Sequence, residues 1–209
     1  MKTVIQIVLV ITIIVLGFFI WESIQKPIRF KQAYEFRKGK VVERLEHIRD
    51  AQVAYKSVYN RYTSSFDTLI HFLKTDSLPL VLMEGTVTDS MIEAGITEQK
   101  AMAMGLIKRD TSYISVLDTI VANRYNVDSL RYVPFADTAQ FEMGSGHIMT
   151  LSGVTVQVFE AKTLNQTYLK GLDPQEVTNI DAVALKLERY PGLKVGSLEE
   201  ANNNAGNWE

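Results

Sequence analysis

The chain opens with nineteen uncharged, mostly apolar residues, Thr3-Val-Ile-Gln-Ile-Val-Leu-Val-Ile-Thr-Ile-Ile-Val-Leu-Gly-Phe-Phe-Ile-Trp21. As a helix rising about 1.5 Å per residue, this run is about 28 Å long, close to the hydrocarbon thickness of a bilayer. A helix satisfies its backbone hydrogen bonds within one segment, which is what lipid requires. Trp21 and the basic residues that follow it are typical of a membrane–water interface. The sequence therefore predicts a transmembrane anchor over residues 1–22, with membrane lipid as its partner.

Beyond the anchor, the chain is long enough for one sizeable core or two small ones, and its charge changes sign. Residues 1–50 carry nine Lys and Arg against five Asp and Glu, whereas residues 51–209 carry thirteen against nineteen. An acidic body argues against nucleic acid as a partner, because phosphate contacts need a basic surface. The chain has no cysteine, which excludes disulfides, thiolate metal ligands and cysteine nucleophiles.

A second helix is expected to begin at Pro27. Proline suits a first helical turn and disfavours helix in the residue before it. Apolar and aromatic residues then recur at spacings of three and four as far as Tyr62. We therefore assign residues 23–62 to a basic, amphipathic juxtamembrane helix.

The apolar face of this helix has two interpretations. Val41, Leu45 and Ile48 are a candidate seam for a partner helix, because they repeat like the a and d positions of a coiled coil. Alternatively, residues 45–62 pack against the protein's own domain. We favour the second interpretation, because the repeat is short and ends in three tyrosines.

Residues 48–70 carry a family resemblance. Their sequence, Ile-Arg-Asp-Ala-Gln-Val-Ala-Tyr-Lys-Ser-Val-Tyr-Asn-Arg-Tyr-Thr-Ser-Ser-Phe-Asp-Thr-Leu-Ile, resembles the end of the long N-terminal helix in type IV pilins and pseudopilins. The helical positions of that pattern hold Ala51 and Tyr55. Tyr62 follows the polar turn, and Leu69 lies in the next segment. Filament-forming pilins pack an apolar N-terminal helix into a fibre core, and the resemblance implies a shared architecture without that role.

The leader departs from the family pattern. Gly17-Phe-Phe-Ile-Trp-Glu22 matches the prepilin processing site, but in that family the apolar helix follows the cut, whereas here it precedes it. Cleavage would remove the anchor, so we interpret the match as accidental. A cleaved secretory signal is not expected either, because the run is long for an h-region and no small-x-small site follows.

Residues 63–209 are predicted to form a soluble α+β domain, with an antiparallel sheet of four or five strands packed against the long helix. Capping residues begin its expected helices at Ser65, Asp89, Thr97 and Asp173. Strands are predicted in residues 78–83, 106–121 (two strands around a turn), 130–135, 140–143, 154–159 and 193–198. Gly144–His147 is interpreted as a turn between strands.

The C-terminal region is expected to be helical and then polar. The helix after Asp173 is predicted to bury one apolar face, formed by Val177, Ile180, Val183, Ala184 and Leu187. The tail beyond it is polar but contains Trp208. Two interpretations remain open, a frayed terminus and a tail docked through this tryptophan.

No catalytic, cofactor or metal site is predicted. His47, His71 and His147 lack the spacing of metal ligands. Ser145 lies between the glycines of a predicted turn, which differs from a nucleophile elbow. We therefore expect a non-catalytic protein without a cofactor.

Aspartate followed by a hydroxyl residue is over-represented. Seven of the ten aspartates precede Ser or Thr, and six of these pairs continue with Leu, Met, Ile or Ala, whereas composition alone would give about one such triplet. The triplets resemble the acceptor sequence for O-glycosylation of exported proteins in one Gram-negative phylum. The alternative is turn and cap chemistry, which these pairs also favour. The candidate acceptors are Thr68, Ser77, Ser90, Thr119, Ser129 and Thr138.

The two signals for membrane sidedness disagree. Basic residues follow the anchor rather than precede it, which favours a cytoplasmic body. The glycosylation-like triplets and the pilin resemblance favour the periplasm, and we predict a periplasmic body on an inner-membrane anchor. We expect a subunit or adaptor of a cell-envelope assembly, with protein partners and a pseudopilin-like outline. The alternative is a membrane-tethered ligand-binding or enzymatic domain, which could face the cytoplasm.

Overall fold

The computed structural model describes residues 2–86, 91, 95, 97–122, 124–150 and 152–209. The helical turn expected after Asp89, and the candidate acceptor Ser90, lie outside these residues. The described helices are α1 Lys2–Tyr59, α2 Phe66–Thr75, α3 Glu98–Ala103, α4 Asn165–Tyr168 and α5 Pro174–Lys186. The described strands are β1 Ser77–Glu84, β2 Lys108–Ser115, β3 Glu142–Met149, β4 Thr155–Leu164 and β5 Gly192–Gly196. The architecture is α+β, as predicted.

Helix α1 continues through Pro27, so the prediction of a new helix beginning there is wrong. Proline removes one backbone donor and crowds the carbonyl of the preceding turn. Its own φ is helical, however, and the long helical segments on both sides keep their hydrogen bonds. An ion pair between Glu22 and Lys26, at 3.2 Å, spans the turn before the proline. The apolar segment and the body therefore share one helix about 87 Å long.

The C-terminal half of α1 lies at the centre of the core. Val41, Leu45 and Ile48 are fully buried by the protein's own side chains. Tyr55 packs edge-on against Phe72 of α2, with ring centroids 5.2 Å apart. This confirms that the half packs against its own domain. In this fold the candidate partner seam is covered by the protein itself.

Helices α2 and α3 begin where their capping residues predict. The Ser65 side chain accepts a hydrogen bond from the backbone N–H of Thr68, and Thr97 accepts one from Lys100. The buried residues of α2 are Phe66, Leu69, Ile70, Phe72 and Leu73. This face closes over the C-terminal end of α1.

The described strands form two antiparallel sheets instead of the predicted one. β1 pairs with β2 in a two-stranded sheet, and β4 lies between β3 and β5 in a three-stranded sheet. Residues 106–121 form one strand followed by a π-helical turn, Leu117–Val121, where two strands were predicted. The predicted strand at 130–135 contributes an isolated bridge between Tyr132 and Gln140 instead. Alternating polarity is a local signal, and the tertiary fold decides which segments find a pairing partner.

The turn predicted at Gly144–His147 is also wrong. These residues lie inside β3, where Gly144 is opposite Glu160 of β4. A Cβ atom on Gly144 would lie 2.9 Å from a methyl carbon of Leu198. The glycine therefore allows close packing of a neighbouring segment rather than a chain reversal.

Helix α5 forms as predicted, but its apolar face is only partly buried. Asp173 caps it by accepting a hydrogen bond from the backbone N–H of Gln175 at 2.9 Å. Val177 is buried, whereas Val183 and Leu187 are 59% and 58% exposed. The periodicity identified the helix, while the extent of its burial depends on the size of the neighbouring elements.

The tail after β5 is docked, which confirms the second of its two interpretations. The backbone N–H of Asn207 donates to the Lys194 carbonyl at 3.0 Å, and the Asn207 side chain accepts from the Lys194 N–H at 3.1 Å. Gly206 forms a β-bridge with Val195, and Trp208 packs against the core. The tail thus extends the edge of the three-stranded sheet.

Candidate functional site

The N-terminal part of α1 is an apolar surface that the body leaves uncovered. Its described large hydrophobic side chains from Ile5 to Ile28 are between 45% and 66% exposed. By length and composition, this helix of the described chain fits a membrane anchor or a signal sequence. An exposed apolar surface of this size needs a non-aqueous environment.

A buried polar chain joins α1 to the body just beyond this segment. The Tyr168 hydroxyl donates to Oδ1 of Asn165 at 2.7 Å, and Nδ2 of Asn165 donates to Asp181 at 2.8 Å. Arg37 of α1 donates to the Tyr168 carbonyl at 3.0 Å. Burial raises the pKa of the Tyr168 hydroxyl, which therefore stays protonated and able to donate. These bonds fix α4 and α5 against α1.

A cleft of about 840 Å³ lies beside α1, and we call it the α1–tail cleft. Its floor is the face of α1 from Arg49 to Ser57. The tail segment from Asn202 to Ala205, together with Glu209, forms the tail wall of the cleft, and Ile120 and Arg124 also line it. The volume lies within the range of small-molecule and peptide sites.

The tail wall of the cleft is attached to the core through Tyr62. The Tyr62 ring is 7% exposed, and its hydroxyl exchanges hydrogen bonds with the Asn204 side chain at 3.0 and 3.3 Å. Asn203 and Asn204 both have positive φ values, 54° and 61°, which asparagine tolerates better than most residues. The asparagine run is therefore a tight turn held at its base, with the side chain of Asn203 exposed.

Three cationic side chains line the cleft. Arg49 pairs with Glu209 at 2.5 Å, and this hydrogen bond lowers the pKa of the Glu209 carboxyl. The Lys56 ammonium lies 4.6 Å from the centroid of the Tyr62 ring. Arg124 is exposed and donates from Nη2 to the Ile120 carbonyl at 3.1 Å. The cleft thus combines these cations with a floor of mixed polarity, on which Val53 is the exposed apolar side chain among the described residues.

A stacked histidine–tyrosine pair lies close to the cleft. The rings of His47 and Tyr125 are 4.1 Å apart at an interplanar angle of 17°. Nδ1 of His47 and the Tyr125 hydroxyl are buried without a hydrogen-bond partner among the described residues. Burial lowers the pKa of His47 and raises that of Tyr125 to about 12, so both rings are neutral near pH 7.

The candidate glycosylation acceptors in the described chain lie at the surface. Thr68, Ser77, Thr119 and Thr138 are exposed. Ser129 is half-buried, and its hydroxyl accepts a hydrogen bond from Arg44 at 3.0 Å. Four of these residues therefore lie at the surface, although the Thr119 hydroxyl donates to the Ser115 carbonyl at 2.9 Å. A glycan on Ser129 would displace an arginine contact.

The predicted site residues do not come together. The partner-seam residues lie in the core, whereas the described hydroxyl acceptors are spread along the chain and, apart from half-buried Ser129, are exposed. Within the described part of the chain, no three His, Asp or Glu side chains are grouped as metal ligands would be.

Sequence reasoning missed the α1–tail cleft. Arg49 has the pattern of a solvated helix charge, and the asparagine run has the composition of a loose tail. The useful signal was Trp208, since a large aromatic residue near a terminus indicates docking. The position of the docking, beside a helix some 160 residues earlier, has no local signal.

No known protein family matches this chain, and no curated protein or solved structure is significantly similar to it. The geometry of the chain itself is therefore the basis for a functional proposal.

Proposed function

We propose that this protein is a non-catalytic, single-pass inner-membrane protein that acts as a subunit or adaptor of a cell-envelope assembly. The observation that carries the proposal is the continuity of α1. The helix is apolar and exposed from Ile5 to Ile28, and its face from Val41 to Tyr55 is buried in the core. A signal sequence is removed from the mature domain. A helix that extends from the apolar run into the core favours a retained anchor.

Rigid attachment of the body supports a structural role. The polar chain through Tyr168 and the contact from Arg37 hold the body against α1 a few turns beyond the apolar segment. The body therefore has a set height above the membrane, as a subunit in a layered assembly requires. The outline, a long helix carrying a small α+β body, is the one that the pilin resemblance of residues 48–70 implies.

We propose that the body faces the periplasm. The surface position of four acceptor-like Ser and Thr residues supports this side, since glycosylation of exported proteins needs accessible Ser or Thr. The basic residues after the anchor support the cytoplasm as the alternative. Sidedness is therefore the first property to measure.

The experiment uses the absence of native cysteine. Ser145 is exposed on β3, so Ser145→Cys gives a single reactive site on the body. The variant is expressed in a Gram-negative host and treated with a membrane-impermeant maleimide after permeabilisation of the outer membrane. Labelling of these cells before lysis supports the periplasmic proposal. Labelling that requires lysis refutes it and places the body in the cytoplasm.

A buried control distinguishes sidedness from unfolding. Ala161 is fully buried in β4, so Ala161→Cys should remain unlabelled in both conditions. Assembly is tested separately by in-cell photo-crosslinking from Tyr113, which is 72% exposed on β2. Discrete crosslinked species support a subunit role. A chain that crosslinks to nothing from Tyr113 and from other exposed body positions contradicts it.

The α1–tail cleft favours a second candidate function, a membrane-tethered ligand-binding domain. Its volume and its convergent polar groups are those of a binding site. Crosslinking to proteins distinguishes the first function, whereas saturable binding of a small molecule without protein partners would favour the second.

A further inference from the structure

We propose that the α1–tail cleft is the docking site for an acidic, extended polypeptide segment of a partner protein. The inference rests on the proposed function as a subunit or adaptor. Such a role requires contacts with partner proteins, and the cleft would provide one of them.

The floor of the cleft fits a short extended segment. From Arg49 to Ser57 it runs about 12 Å along the helix, which three or four residues of an extended chain would span. Val53 is 47% exposed on this face, and the neighbouring Ala54 is small. Ala54 itself is buried, so the floor offers one exposed apolar side chain among polar ones, beside which the backbone of a partner segment can lie.

The cationic side chains of the cleft favour an anionic ligand. Arg49 pairs with Glu209, whereas Lys56 and Arg124 make no salt bridge among the described residues, and Asp50 is the other acidic side chain of the lining. The body as a whole is acidic. Two cations without a salt-bridge partner in one cleft suit a partner segment that carries negative charge.

Arg124 has unused capacity for a carboxylate. Its guanidinium makes one hydrogen bond, to the Ile120 carbonyl of its own turn, among the described residues. Arginine has five donors in a planar fork that matches a carboxylate in bidentate geometry. A carboxylate of the partner at Arg124 would therefore replace water without breaking a protein contact.

A carboxylate of the protein already lies in the cleft. Glu209 binds Arg49 at 2.5 Å, and its pKa is lowered by this contact. The pair shows the chemistry that the cleft stabilises. It also predicts competition, because a partner carboxylate approaching Arg49 must displace Glu209.

The asparagine turn distinguishes a polypeptide from a simple anion. Asn203 lines the cleft and is exposed, and its amide can both donate and accept hydrogen bonds. Asn202 lines the cleft too, but its Nδ2 already donates to the Ala205 carbonyl at 3.3 Å. A peptide backbone offers both functions in return, whereas inorganic phosphate at neutral pH mainly accepts. The combination of an exposed amide, an exposed valine and cations therefore fits an acidic peptide better than a phosphate.

The test measures peptide binding to the full chain in a neutral detergent. The probe is a fluorescein-labelled peptide in which Glu alternates with Ser, and matched peptides with Gln or Lys in place of Glu are the comparison. Fluorescence anisotropy should show saturable binding of the Glu peptide that weakens as salt is added. The Gln and Lys peptides should bind at least about tenfold more weakly.

Three variants and one control locate the site. Arg124→Gln and Lys56→Gln should each weaken binding about three- to fivefold, the range of an exposed ion pair. Glu209→Gln should strengthen binding about threefold, because it frees Arg49. Lys186→Gln on α5, outside the cleft, should leave binding unchanged. Far-ultraviolet circular dichroism checks that each variant is folded.

Several results would overturn the proposal. Equal binding of the Glu and Gln peptides would remove its electrostatic basis, and unchanged binding by Arg124→Gln would remove its location. Inorganic phosphate that competes as well as the peptide would make the cleft a general anion site. If peptide binding follows the prediction while crosslinking in cells finds no protein partner, the docking chemistry stands and the proposed function fails. Crosslinked partners without peptide binding would refute the docking chemistry and leave the proposed function standing.

Discussion

Replacing Gln52 by leucine should destabilise the body, although leucine is the usual residue at such a buried helical position. Gln52 is fully buried in the core face of α1. Its Nε2 donates to the Thr63 carbonyl at 2.6 Å, and its Oε1 accepts from the Thr63 N–H at 3.1 Å. One side chain thus satisfies both backbone groups of a residue in the turn after the helix.

The magnitude follows from these two bonds. In Gln52→Leu both backbone groups of Thr63 lose their partner in a half-buried position, at about 1–3 kcal/mol for each buried group. The additional apolar burial of leucine offsets about 1 kcal/mol. Because Thr63 is only half-buried, we use about 1–2 kcal/mol for each group, and we expect a net loss of about 1–3 kcal/mol in the free energy of unfolding. For a body of this size, the loss lowers the Tm by about 2–12 °C.

The assay is urea unfolding of the full chain in detergent, followed by near-ultraviolet circular dichroism. Gln32→Leu is the matched control, since Gln32 is exposed on the same helix, and it should change the free energy of unfolding by less than about 0.5 kcal/mol. The wild type and both variants should have the same m value. A Gln52→Leu variant as stable as the wild type would refute the reasoning, because the two bonds would then contribute nothing net.

Three further predictions concern other parts of the body. Gly196 has φ +72°, and a Cβ atom there would collide with the Phe159 carbonyl oxygen. Gly196→Ala should therefore lower the free energy of unfolding by about 3 kcal/mol or more. Gly171 has φ +83° but open space around it, so Gly171→Ala should lower the free energy of unfolding by only about 1 kcal/mol. Thermal unfolding of the two variants checks this difference, and equal losses would contradict it. Burial lowers the pKa of His47 in the folded chain. The unfolded chain therefore binds a proton at a higher pH than the folded chain does, and the free energy of unfolding should fall as the pH drops below about 6.5. His47→Phe should remove this part of the pH dependence. The measurement compares the free energy of unfolding of wild type and variant at neutral and at mildly acidic pH. A variant with the same pH dependence as the wild type would argue against this prediction. Asp181→Ala should lower the free energy of unfolding by about 2–3 kcal/mol, because the side-chain amides of two residues lose a buried acceptor. Chemical unfolding measures this loss, and a loss within experimental error would show that the polar chain is dispensable.

Several elements of the fold were predictable because their signals act within a few residues. Ser65, Thr97 and Asp173 cap the helices that follow them, and the apolar run indicates a helix that needs a non-aqueous environment. The 3.6-residue period of α1 identified its buried face. The same local reasoning gave a wrong helix start at Pro27. One lost hydrogen bond costs little compared with the hydrogen bonds that the helix keeps on both sides of the proline.

Strand pairing shows where local reasoning ends. Alternation marked residues 130–135 as a strand and Gly144–His147 as a turn, and the structure reverses both assignments. A strand exists only where a second segment supplies hydrogen bonds, and glycine fits a turn and a crowded strand equally well. Both decisions depend on which distant segment is the neighbour.

The sequence by itself determined the anchor-like apolar helix, the α+β class, the caps of the helices and the face of α1 that enters the core. Only the tertiary structure decided that the strands divide into two sheets, that Gln52 holds the turn at Thr63, and that the tail forms one wall of a cleft. The physical reason is the separation in sequence between the residues that come into contact. Caps and periodicity join residues within two turns, whereas the ion pair between Arg49 and Glu209 joins residues 160 positions apart, and nothing near either residue specifies the other.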